Sequence, residues 1–140
     1  MNAEVFFDSN VLLYLLSADP SKADKAESLM RAGGVISVQV LNEVANVARR
    51  KLRMPWDEVT EVLGVVRALC TTQPLTVESH GLGLKIAERH GLSIYDAMIL
   101  GSALSAGCRT VFSEDMHHGL LIEGRLRIQN PFRPTRSRAP

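Results

Sequence analysis

The sequence predicts an α/β fold, a single three-layer domain whose central sheet is mostly parallel. Three observations predict it. Short β-branched and aromatic runs recur along the chain, and stretches with helical periodicity separate them. Strands that alternate with helices favour parallel crossovers, with helices on both faces of the sheet. A chain of 140 residues, 46% hydrophobic, is long enough for one real core and too short for two ordinary domains.

The elements follow in order. Val5, Phe6 and Phe7 make a buried strand over 5–8, and the apolar stretch 11–16 makes a short helix that Asp19 and Pro20 stop. Ser21 and Asp24 have the spacing of a capping box and open a helix that ends at Gly33 and Gly34. A minimal strand, 35–37, leads into a helix over 38–51 built on Val40, Leu41, Val44, Ala45 and Ala48. Pro55 suits the first position of the next helix, which runs to about Leu69 with Asp57 and Glu58 in its first turn. A strand over 75–77 follows, then helices over 82–89 and 95–106 that end at Gly91 and Gly107. Strands over 109–112 and 126–128 complete a domain spanning 1–130. Residues 131–140 form a tail rich in proline and arginine, expected to be mobile.

Composition narrows the function classes. No apolar stretch approaches the ~20 residues that span a bilayer. The N-terminus carries Glu4 in place of a basic leader, which argues for a cytoplasmic protein. Cys70 and Cys108 belong to no C-x-x-C pair and read as small buried hydrophobes in a reducing compartment. A net charge of +1 leaves any nucleic-acid partner to be argued from local clustering.

Four acids carry the functional question. Asp8 stands between the first strand and an apolar segment, where an ionised carboxylate is costly unless something satisfies it. Sites in open α/β sheets lie at the carboxyl ends of strands, and Asp8 falls at such an end; helix capping is its ordinary alternative. Glu43 lies on a polar helical stripe of Gln39, Glu43, Asn46, Arg50 and Arg53, which equally suits a solvated face. Asp96 opens an apolar helix, with Ser93 placed to form a second capping box. Asp115 follows the late strand in the run Ser113, Glu114, Asp115, which is also ordinary turn composition.

Taken together, Phe6-Phe7-Asp8-Ser9-Asn10, Glu43, Tyr95-Asp96 and Ser113-Glu114-Asp115 resemble a PIN domain in order and spacing, from about Val5 to Ile128. The likeness is nearest to the small VapC-type toxin ribonucleases. One departure is Ser9, where that family often has threonine; the hydroxyl is retained. The resemblance implies that Asp8, Glu43, Asp96 and Asp115 line one pocket as catalytic residues, supported by hydrogen bonds from Asn10 and Ser113. Four such carboxylates need a cation, since two of them ~5 Å apart repel by about 3 kcal/mol at an effective dielectric near 20. Hard oxygen donors favour Mg²⁺ or Mn²⁺, with Asp8 and Asp96 as the firmest metal ligands. The activity implied is hydrolysis of RNA by an activated water, with no protein nucleophile.

Substrate and partners follow less directly. Arg50 and Arg53, in the basic run 49–53, would hold the RNA backbone; a solubilising helix end has the same composition. His117 and His118 read as surface histidines and Trp56 as a packing residue. Aromatic content of 5% makes stacking platforms inconspicuous. The family resemblance implies a cognate antitoxin, held in an apolar groove among the helices over 22–32 and 39–69, and a homodimer. Two alternatives stand beside the nuclease reading. One is a non-catalytic PIN-like nucleic-acid-binding or regulatory module. The other is an aspartyl phosphotransfer domain built on Asp8, although Asn10 replaces the second Asp common in such sites.

Overall fold

The computed structural model describes residues 3–133. In chain order the elements are β1 (Val5–Phe7), α1 (Ser9–Leu13), α2 (Pro20–Arg31), β2 (Gly34–Ser37), α3 (Val38–Arg50), α4 (Trp56–Leu69) and β3 (Cys70–Gln73). There follow α5 (Val77–His90), α6 (Ile94–Ser105), β4 (Thr110–Phe112), β5 (Leu121–Ile122) and β6 (Leu126–Gln129). The sheet order is β3-β2-β1-β4-β6-β5, parallel throughout except for β5 against β6. Successive strand residues point to opposite faces, and Phe6, Phe7, Val35 and Ile36 are all buried. Both faces of the central strands are therefore covered, as the α/β expectation requires.

Strand order reverses at β1. The chain builds outward through β2 and β3, then returns to place β4 on the other side of β1. Phe7 is in register with Phe112, so the residues that follow them, Asp8 and Ser113, emerge side by side. Such a reversal leaves a crevice at the carboxyl ends of the strands.

Several boundaries differ from the sequence expectation. Asp19, not Ser21, caps α2, accepting the Ser21 N–H at 3.0 Å while Pro20 takes the first helical position. Pro55 is the residue before α4, not its first. The strand expected at 75–77 lies instead at Cys70–Gln73, continuous with the end of α4. Thr76 and Ser79 form a reciprocal capping box, so α5 starts at Val77 and not at 82. Local capping thus overrides the β-branched signal of Thr76 and Val77. The short strand β5 was not expected; it pairs with β6 through a tight turn at Glu123 and Gly124, both with positive φ.

Two glycines set close approaches. A Cβ on Gly101 would lie 3.0 Å from Gly83 N and Ser79 O, so α6 packs backbone to backbone on α5. A Cβ on Gly34 would lie 2.4 Å from the buried Phe7 ring and 3.0 Å from Val5 O. Gly34→Ala is therefore expected to lower stability by about 1–3 kcal/mol through overpacking, read as a shift in urea midpoint. An unchanged midpoint would show that the β1–β2 contact gives way freely.

Candidate active site

Asp8 is 4% exposed and caps α1. Its backbone N–H donates to Phe112 O at 3.0 Å, which fixes it to the end of β4. Its carboxylate receives three close hydrogen bonds, from Ser9 N (2.7 Å), Asn10 Nδ2 (3.1 Å) and Ser113 Oγ (2.8 Å). Asn10 also donates to Ser113 Oγ and accepts the Glu114 N–H, while the fully buried Ser113 accepts the Met116 N–H. Asp8, Asn10 and Ser113 thus form one polar network across the seam between β1 and β4.

Glu43 joins through a bridging hydroxyl. Ser9 Oγ donates to Glu43 Oε1 at 2.8 Å, and Gln39 Nε2 donates to Glu43 Oε2 at 3.0 Å from one turn earlier on α3. Gln39 and Glu43 share the stripe expected from the sequence, whereas Ser9 is expected there only as a helix cap or a retained hydroxyl. The i, i+4 spacing was the available signal for the Gln39 contact.

Asp96 and Asp115 approach without hydrogen-bonding to this network. Ser93 caps α6 by accepting the Asp96 N–H at 3.2 Å. Asp115 is exposed on the loop after β4. Electrostatics connects all four acids. Burial lifts the Asp8 carboxyl to about 6, opposed by hydrogen bonds from Ser113 and Ser9 and reinforced by the charges of Glu43 and Asp96. The Asp96 carboxyl is also raised, first by burial, against a hydrogen bond from Ser93, and further by the Asp115 charge. Among the described residues no lysine or arginine pairs with any of the four. Nor do any three His, Cys, Asp or Glu side chains among those residues meet tightly enough to cage an ion by themselves. The neighbouring Glu114 turns away, accepting from Tyr14 Oη with Lys22 Nζ at 3.9 Å.

The basic residues lie further off. The helix ends at Arg50, about 10 Å along its axis from Glu43. Arg53 is outside the helix, at a φ of 53°, so the expected polar stripe stops at Arg50. Arg49 clasps the turn, donating to Met54 O at 2.7 Å and stacking over the Trp56 ring at 4.4 Å. Trp56 is 65% exposed, so it is a surface ring under Arg49 and not part of the buried core. His118 accepts the Asn130 N–H. Cys70 and Cys108 are buried free thiols, pushed up to about 11 by desolvation. Of the C-terminal tail, residues 134–140 lie outside the described residues.

The PIN domain family profile matches residues 5–118. The chain belongs to the PIN domain family. Solved structures share this PIN fold at low sequence identity. A toxin–antitoxin complex from Klebsiella pneumoniae superposes with a TM-score of 0.70 at 17% identity, covering 91% of this chain and 98% of that one. DNA-bound VapBC from Salmonella typhimurium gives 0.69 at 20%, over 91% and 98%. VapC20 of Mycobacterium tuberculosis, described as a sarcin-ricin loop cleaving toxin, gives 0.64 at 18%, over 79% and 91%. No curated protein matches the chain in sequence. Among the described residues of this PIN domain, no helix is long and apolar enough to cross a membrane.

Proposed function

We propose that this PIN domain is a divalent-cation-dependent endoribonuclease, the toxin of a type II toxin–antitoxin pair acting in the cytoplasm. One observation carries the reading. A buried carboxylate, Asp8, sits at the strand-order reversal within electrostatic reach of further acids, and no described cationic side chain balances them. An all-oxygen donor set fits Mg²⁺ or Mn²⁺, which keep several waters and need only one or two direct carboxylates. Asp8 and Asp96 would hold the ion, with Glu43 and Asp115 beside it. When bound, it would supply a water of lowered pKa and offset charge developing on the phosphate.

The chain's own residues prepare that chemistry. Three close donors and a longer contact from Ser9 Oγ at 3.4 Å hold the Asp8 carboxylate in one orientation. Ser9 ties Glu43 to the same network, so the two carboxylates keep a set relation. Arg50 and Arg53 are the candidate backbone contacts, outside the acidic pocket, where guanidinium groups would steer and hold phosphates.

Purified chain incubated with an RNA pool and Mg²⁺ or Mn²⁺ is expected to give internal cuts that EDTA abolishes. Absence of cleavage with either ion would overturn the nuclease reading, and cleavage that survives EDTA would overturn the cation.

An apolar groove of about 450 Å³ supports the antitoxin partner. Leu15, Leu16, Met30, Val62, Val65 and Leu69 line it, between α2, α4 and the turn after α1. Such a groove suits the apolar side of a partner helix. The Klebsiella and Salmonella structures, both of toxin–antitoxin complexes, favour the same assignment. We assign the homodimer on the family resemblance alone.

A further inference from the structure

A second cavity, of about 290 Å³, opens beside the acids where the first turns of α3, α5 and α6 meet. Gln39, His80, Tyr95, Ile94, Leu75 and Met98 line it. Two of these adjoin the acids directly: Gln39 is hydrogen-bonded to Glu43, and Tyr95 precedes Asp96 in the chain. We infer that this cavity is a subsite for one unpaired nucleobase of the RNA and sets the nucleotide preference beside the cut. The inference rests on the endoribonuclease reading.

The lining matches a base and little else. A nucleobase is a flat apolar plate with hydrogen-bonding groups confined to its edge, and single-stranded RNA is read by stacking plus edge contacts. Tyr95 is 66% exposed, with Leu75 and Ile94 at 44% and 39%. Their apolar surface therefore stands open around the cavity, where a stacked ring would cover it. Gln39 spends one N–H on Glu43 and keeps its amide oxygen and second N–H for an edge. His80 is exposed at the cavity and brings ring nitrogens that can hydrogen-bond to an edge. No lysine or arginine lines the cavity, so a phosphate is not the group it suits. The phosphate belongs at the acids and the base beside them.

The test maps cut sites in a randomised RNA pool for wild type, Tyr95→Ala, Tyr95→Phe and His80→Ala, with circular dichroism and light scattering on each. Tyr95 and His80 are both exposed, so the substitutions leave the core intact. Tyr95→Ala is expected to flatten the preference at one position flanking the cut. It should also raise KM about five- to a hundredfold, the range for losing one base–aromatic stack, with kcat changed far less. Tyr95→Phe keeps the stack and should restore KM; His80→Ala should alter which base is preferred. Unchanged cut sites and KM in both alanine variants would overturn the subsite. So would a Tyr95→Ala protein that loses only self-association, which would make the patch a contact between copies. Failure of the nuclease reading is distinct, because wild type itself would then leave the pool uncut.

Discussion

Asp8→Asn is expected to lower RNA cleavage on the order of a thousandfold while the protein stays folded. The magnitude follows from losing several kcal/mol of charge stabilisation, at 1.36 kcal/mol per decade of rate. The substitution keeps the shape of the side chain and one oxygen, which still accepts the Ser9 N–H and caps α1. It replaces the other oxygen by an NH₂ that faces the donors of Asn10 and Ser113. That mismatch costs about 1–3 kcal/mol. Removing a buried like charge offsets much of it, since Asp8 is ionised at neutral pH against its desolvation. Initial rates with Mg²⁺, taken beside circular dichroism, measure the effect. A folded variant cutting at the wild-type rate would remove Asp8 from the chemistry.

Without divalent cations, the Asp8 carboxylate should make the protein less stable at pH 7.5 than at pH 4.5, by about 2 kcal/mol. The direction follows from proton affinity. The folded carboxyl titrates near 6 against 3.8 when unfolded, so the native state binds the proton more tightly. That contribution is fully present below about pH 3.8 and is lost as pH rises through 6. Asp96, also raised, acts in the same direction. Urea unfolding in EDTA at the two pH values measures the difference, and Asp8→Asn should remove most of it. Equal slopes in wild type and variant would show that burial of Asp8 does not govern this window. Added Mg²⁺ or Mn²⁺ should stabilise wild type more at pH 7.5, because protons compete for the same oxygens at pH 4.5.

The sequence was most legible where periodicity and burial agreed. Phe6 and Phe7 mark the central strand, and the helix carrying Glu43 ends close to its expected limit. Asp8 stood out because a carboxylate between two apolar segments conflicts with burial, and functional sites break local rules of this kind. The strand expected at 75–77 was misplaced because β-branched residues and helix caps share composition. Thr76 serves as a cap, while Cys70–Gln73 follows α4 without a breaker. The contacts that shape the candidate site were beyond sequence periodicity. Ser9 to Glu43 spans 34 positions, and Tyr14 to Glu114 spans 100. Arg53 fits the spacing of the polar stripe, but the helix ends at Arg50 and interrupts it.

The placement of β1 has a consequence for synthesis. The second partner of this strand, β4, lies at Thr110–Phe112, and the Ser113 hydroxyl that steadies Asp8 comes 105 residues later. Pairing over such a separation is slow, and it cannot begin until the distal segment has left the ribosome. A nascent polypeptide lacking that segment carries Asp8 without its clamp, so the acidic cluster cannot take shape before β4 has emerged.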